Sequence, residues 1–185
     1  MATYTATQPS ALPSIHVEEG EAAAVLARVA VFTNAIREGR ASAELDLTGR
    51  DINVLIQRHP AWTNLAGKVY VTIVGDQLSG SVNVPLDGLT RRLKGRWLAG
   101  TAVFRVGTTG GRLVVFMDSV SLNGKSPSET FMAGLRTKNL AEDANKRPDQ
   151  AAVLDKLESV AVRDGMLRIV SRPTRLPEAP APGPA

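Results

Sequence analysis

Much of the chain alternates between apolar and polar residues over short stretches that end in glycine-containing turns. Such alternation points successive side chains to opposite faces and predicts half-buried β-strands. The clearest stretches are 68–74, 77–86, 97–107, 112–123, 159–163 and 166–171, and a shorter one spans 41–47. Turns at 75–76, 108–111 and 164–165 join six of these strands in pairs, so the sequence predicts three β-hairpins.

Two irregularities modify this pattern. In the stretch 112–123 the apolar positions change phase after Met117, and a β-bulge near Asp118 and Ser119 would account for the change. Pro85 lacks a backbone N–H, which predicts that its strand ends there or lies at a sheet edge.

Apolar residues at three- and four-residue spacing predict helices in three places. Residues 18–37 carry one such stripe, with acidic residues at the helix start. Thr48 and Asp51 have the spacing of a capping box, and a short helix follows them. The third helical region covers 127–157. We therefore predict an α+β fold, in which a curved antiparallel sheet of six or seven strands packs on an N-terminal amphipathic helix and a C-terminal helical segment.

The 185 residues are enough for about one domain with its own core. Residues 1–17 are rich in Thr, Ser, Pro and Ala and are predicted to form a disordered leader. Residues 18–172 form the predicted domain, and 173–185 are a proline-rich tail that we expect to be disordered. Residues 1–17 also lack the basic and apolar regions of a secretory signal peptide, and no stretch has the length of a membrane span.

Composition excludes several kinds of site. The chain has no cysteine, which excludes disulfides, thiolate zinc sites and a cysteine nucleophile. Only two histidines are present, so we expect no metal site. His16 lies in the leader, and His59 precedes a proline at a predicted helix end, where capping is the usual role. The pair Glu142 and Asp143 is typical of a solvated helix face.

No motif for catalysis or cofactor binding is present. Residues 107–111 are glycine-rich, but they join two predicted strands, whereas a phosphate-binding P-loop leads into a helix. We therefore predict that the protein is not an enzyme and binds no cofactor.

Charge is unevenly distributed along the chain, whose formal net charge is +4. Between 88 and 117 there is no acidic residue, and the basic residues there are Arg91, Arg92, Lys94, Arg96, Arg105 and Arg112. Such a segment suits lipid headgroups, nucleic acid or an anionic glycan, or it is simply a solvated face. The low aromatic content of 4% disfavours nucleic acid, since its readers stack bases on several rings.

From this pattern we select a basic strip formed by Arg91, Arg92, Lys94 and Arg96 as the candidate ligand-binding residues. Trp97 and Phe104 are the candidate apolar contacts.

The segment 47–56, LTGRDINVLI, resembles a segment found in uncharacterised bacterial envelope proteins that carry a membrane anchor before one soluble domain. Further similarities lie at 67–69, 84–87, 95–100, 120–125, 131–140 and 164–169. More distantly, the pattern is similar to YpmS-like and tubular lipid-binding (TULIP-type) envelope domains.

This resemblance implies a location in the periplasm or cell envelope and a non-enzymatic role in binding an anionic lipid or an envelope protein. It supplies no catalytic residue, and the chain shows no anchor. A structural or assembly subunit, which contacts other proteins through the basic strip and an exposed sheet edge, is the alternative, and the oligomeric state stays open.

Overall fold

The computed structural model describes residues 6–40, 44–60, 62, 65–85, 94–146 and 148–172. The elements in chain order are α1 (Glu19–Arg37), β1 (Glu44–Thr48), α2 (Gly49–Arg58), β2 (Val69–Val74), β3 (Gln77–Pro85), β4 (Trp97–Thr109), β5 (Arg112–Leu122), α3 (Glu129–Thr137), α4 (Glu142–Lys146), α5 (Pro148–Leu154), β6 (Leu157–Arg163) and β7 (Met166–Ser171). The fold is α+β with antiparallel strand pairing, as predicted.

The strands form two sheets, so the prediction of a single six- or seven-stranded sheet is wrong. One sheet has the order β2-β3-β4-β5, and the other has the order β1-β7-β6. The physical reason lies at the outer edges of β2 and β5. Side chains of Asn53, Asn139 and Asn145 hydrogen-bond to the backbone along these edges. A further strand would have to displace those bonds.

All three predicted hairpins are confirmed, since β2 pairs with β3, β4 with β5, and β6 with β7. The predicted bulge is also confirmed. Val103 pairs with Ser119 and Phe104 with Met117, which leaves Asp118 as the extra residue. Pro85 is the last residue of β3.

One hydrophobic core joins α1 and α2 to the three-stranded sheet. Val25 and Phe32 of α1, Val54 of α2 and Leu47 of β1 are buried in it, with Val160 of β6. The three β2 residues Val69, Val71 and Ile73 pack against its margin. The helix α1 thus contacts α2 and β1, whereas α3 lies against β5.

The start of α2 is fixed by the capping box that the sequence predicts. The Thr48 hydroxyl accepts a hydrogen bond from the Asp51 backbone N–H, and the Thr48 backbone N–H donates to the Asp51 carboxylate. These bonds satisfy donors that a helix N-terminus otherwise leaves unpaired.

Residues 6–17 of the predicted leader contact the four-stranded sheet and the core. Ala6 exchanges two backbone hydrogen bonds with Trp97, at 2.9 and 2.8 Å. Ser10 exchanges two more with the Asn83 side chain, and Val17 is only 6% exposed in the core. Ile15 and Val17 of this segment bury apolar surface, which a count of small and polar residues overlooks. The tail 173–185 lies outside the described residues.

Candidate functional site

The four-stranded sheet has one polar and one apolar face. The polar face carries the Arg105–Asp118 ion pair, and the hydroxyls of Ser81 and Thr101 lie 3.3 Å apart there. Asn83, only 7% exposed, is covered on this side by Ser10 of the leader. Because side chains alternate along a strand, the residues between these positions point to the opposite, apolar face.

Part of the apolar face lies outside the core. Cross-strand pairing and alternation place seven half-buried residues there, which we call the β3–β5 surface: Leu78, Val82, Leu98, Phe104, Met117, Val120 and Leu122. None of them belongs to the core cluster or to the residues packed against it. A sheet face of this kind is a candidate contact for an apolar ligand.

Phe104 lies on the middle strand of the β3–β5 surface, between Leu78 of β3 and Met117 of β5. Its ring lies directly over Gly80, where an added Cβ would approach it to 3.1 Å. Glycine at this position thus makes room for the aromatic ring against the backbone of β3.

Trp97 does not share the surface with Phe104. The two residues are separated by an odd number of positions along β4, so they point to opposite faces of the sheet. Trp97 is half-buried, and its backbone pairs with Ala6. The structure therefore retains Phe104 as a candidate apolar contact of this surface and separates Trp97 from it.

The basic strip is only partly described. Arg91 and Arg92 lie outside the described residues. Lys94 is exposed and Arg96 is half-buried, and both directly precede β4. They therefore lie at the same end of the strand as Leu98, a member of the β3–β5 surface.

The other two basic residues between 88 and 117 do not join this strip. The Arg105 guanidinium pairs with Asp118 at 2.9 Å and stacks on the Phe116 ring at 5.6 Å. Arg112 begins β5, at the far end of the β4–β5 hairpin from Lys94.

The two histidines make structural contacts. His59 is the residue that ends α2; its N–H donates to the Leu55 carbonyl and its ring packs on Trp62, with ring centroids 5.8 Å apart. His16 is exposed, and its backbone carbonyl accepts a hydrogen bond from Arg50.

The carboxylates also differ from those of general acids. Glu142 pairs with Lys146 at 2.5 Å, and this hydrogen bond lowers its pKa. The Arg50 and Arg168 guanidinium groups likewise lower the pKa of Glu21 and Asp46 through hydrogen bonds. A general acid at neutral pH needs a raised pKa, so these groups suit structural ion pairs instead. The side chain of Asp143 lies outside the described residues.

The best-defined clefts in the described chain are open and small. Their volumes are about 390, 400, 320 and 200 Å³. The first is lined by Arg40, Lys156 and Arg172, but each of these cations already has a partner: the Glu38 carboxylate, the Ile36 carbonyl and the Leu157 carbonyl, respectively.

Within the described ranges, no group of three or more His, Asp or Glu side chains is arranged to hold a metal ion. In the same part of the chain, no helix has the length and apolarity to cross a membrane.

Sequence reasoning missed the asparagines that bond to the sheet edges. Asn53 is 3% exposed; its amide donates to the carbonyls of Gly49 and Val71 and accepts from the Val71 N–H, at 2.7 to 2.8 Å. At the opposite edge, Asn139 and Asn145 bond to Leu113 and Val115 in the same manner. A signal was present at Asn53, since it is the only polar residue in the otherwise apolar run 52–56.

No family model, curated protein or solved structure matches this chain.

Proposed function

We propose that this is a non-enzymatic domain of the cell envelope that binds a lipid with an anionic headgroup. The apolar part of the lipid lies against the β3–β5 surface, and the headgroup meets the basic strip. The observation that carries this proposal is the set of seven half-buried apolar side chains on one sheet face, none of which belongs to the core cluster.

Burial of apolar surface contributes roughly 25 cal/mol per Å², so a row of Leu, Val, Phe and Met side chains that leaves part of its surface in water favours an apolar occupant. A solvated sheet face carries mostly polar residues. The opposite face of this sheet is mixed, with Ser81, Thr101 and Arg105 beside Trp97 and Phe116.

Charge at one end of the surface favours an anionic occupant. Lys94 is exposed directly before β4, and no acidic residue occurs between 88 and 117. Arg91 and Arg92 come just before Lys94 in the sequence and add two positive charges to the same segment. Lipids that combine a long apolar chain with a phosphate or carboxylate fit both parts of the site.

The absence of enzymatic activity is supported by the partners of the candidate catalytic groups. His59 packs at a helix end, and the described carboxyls with a perturbed pKa are all lowered by cationic partners. The location in the envelope is supported by the resemblance of the segment 47–56 to envelope proteins.

The chain has no cysteine, so one reporter thiol can be introduced at a time. Val82→Cys places an environment-sensitive fluorophore on the β3–β5 surface, and Ser81→Cys places it on the opposite face as the matched control. We expect lyso-phosphatidylglycerol below its micelle concentration to shift the Val82→Cys emission to the blue. The Ser81→Cys emission should stay unchanged.

The charge of the headgroup is tested with the same reporter. Lys94→Ser with Arg96→Ser should weaken the binding of lyso-phosphatidylglycerol severalfold and leave lyso-phosphatidylcholine unaffected. Equal shifts at both cysteine positions, or no shift at either, would contradict the proposal.

The second candidate is an assembly subunit that contacts other proteins. The edge asparagines argue against an exposed sheet edge as the contact in the four-stranded sheet, since both of its edges already have hydrogen-bond partners. The edge strand β1 is similarly engaged, because Arg28 donates to the Asp46 carbonyl. If the reporter at Val82 responds to an envelope protein and to no lipid, the assembly role takes the place of lipid binding.

A further inference from the structure

The solvent-facing side of α1 is unusually apolar for a surface helix. The helix buries Ala22, Val25, Phe32, Ala35 and Ile36 on one side. A surface helix usually carries charged residues on its other side. Here the exposed residues between the helix ends are mostly apolar: Gly20, Ala23, Ala24, Ala27, Arg28, Ala30, Val31 and Asn34.

Val31 stands out on this side, since 66% of its surface is exposed. It also forms one wall of a cleft of about 400 Å³ between α1 and the edge strand β1, with Phe32 and Leu45 in the other walls. The charged residue of this side, Arg28, is directed toward Asp51 and the Asp46 carbonyl. The helix face and the cleft together form an apolar surface that no described residue covers.

The charges at the two ends of α1 indicate what covers it. Glu19 and Arg37 are exposed, and neither forms an ion pair with another residue in the described ranges. They are five turns of 3.6 residues apart, so they project from the same side of the helix. In an antiparallel pair of identical helices, a twofold axis brings Glu19 of each copy next to Arg37 of the other.

We propose that α1 pairs antiparallel with α1 of a second copy of this chain, with Ala27 and the neighbouring alanines at the centre, Val31 along one margin of the contact and the end charges along the other. Small side chains let the two helix backbones approach closely, and the end charges fix the antiparallel orientation. A single helix pair of this length, about 28 Å, covers less than the roughly 800 Å² per partner of a standard interface. The dimer is therefore weak and dependent on concentration.

Analytical ultracentrifugation over a wide range of concentrations tests this pairing. The chain offers a matched control, because Val74 is 71% exposed on the β2–β3 hairpin. Val31→Glu should raise the dissociation constant at least about tenfold, since it buries a charge without a partner. Val74→Glu should leave the dissociation constant unchanged.

Charge reversal tests the orientation independently. Glu19→Arg and Arg37→Glu should each weaken the dimer, and the double variant should restore it, because the opposite charges then meet again. Urea unfolding of each variant checks that the fold is kept.

The proposal is overturned if the unmodified protein stays monomeric at the highest concentration, if Val74→Glu acts like Val31→Glu, or if the double reversal fails to restore pairing. Lipid binding by the Val82→Cys reporter is measured on dilute monomer, so the two proposals stand or fall separately.

Discussion

At the scale of single residues, asparagine side chains form the backbone hydrogen bonds that a neighbouring strand would otherwise form at the sheet edges. Asn53 presents one acceptor and one donor to the backbone of Val71, as a neighbouring strand would. The side chain thus satisfies polar groups that would otherwise be left unpaired in a partly buried place.

We expect Asn53→Ala to lower the free energy of unfolding by about 2 kcal/mol or more, because Val71 and Gly49 lose partners that water reaches poorly. Urea denaturation measures the change. Asn34→Ala is the control, since Asn34 is exposed on α1, and it should change stability by less than about 0.5 kcal/mol. Equal effects of the two substitutions would contradict the role assigned to Asn53.

A second residue-scale prediction concerns acid. Arg168 donates two hydrogen bonds to Asp46, at 2.9 and 3.0 Å, and these lower the pKa of the carboxyl. A lowered pKa stabilises the folded state above the ordinary Asp value of about 3.9, and this stabilisation is lost as pH falls through the lower pKa of the folded state.

Unfolding followed in urea between about pH 5 and pH 2 should therefore be less pH-dependent in Asp46→Asn than in the unmodified protein. Asp76→Asn serves as the control, because Asp76 is exposed and accepts its hydrogen bond from the Asp164 backbone N–H rather than from a cation. An unchanged slope in Asp46→Asn would show that the ion pair does not contribute.

At the scale of elements, asparagine side chains protect the two outer edges of the four-stranded sheet from pairing with further strands. Asn139 and Asn145 hold the backbone of β5 at Leu113 and Val115, and Leu140 adds a backbone bond to Val115. Strand edges that lack such partners tend to pair with other chains.

The double variant Asn139→Ala with Asn145→Ala should expose the β5 edge and make the protein aggregate faster on incubation near its unfolding midpoint. Light scattering follows the aggregation. Asn34→Ala with Gln77→Ala removes the same number of exposed side-chain amides away from this edge. Aggregation at the same rate in both variants would show that the asparagines do not protect the sheet.

Local elements could be predicted because their signals are local. The capping box at Thr48, the three hairpin turns and the bulge at Asp118 each depend on a few neighbouring residues, and each is confirmed. The division into two sheets could not be predicted, because it depends on contacts such as Asn145 with Leu113, 32 residues apart. Alternation identifies the faces of a strand but not its neighbours.

At the scale of the whole molecule, the candidate site was predictable only in part. The row of basic residues and the apolar alternation of β4 are visible in the sequence, and Phe104 lies on the apolar face. The sequence groups Trp97 with Phe104 because of its size and its place near the basic residues. The two residues are an odd number of positions apart on β4, so Trp97 points to the other face of the sheet. Which apolar residues stay outside the core depends on where α2 and β6 pack, and that information is not local.

The central claim is that the β3–β5 surface and the basic strip hold an anionic lipid. Native mass spectrometry of the purified protein, with organic extraction of any bound molecule, tests this claim most directly. We predict an anionic lipid that is bound to the unmodified protein and lost when Arg91, Arg92, Lys94 and Arg96 are replaced by serine. A protein that is free of lipid as purified, and still free after incubation with anionic lipids, would contradict the claim.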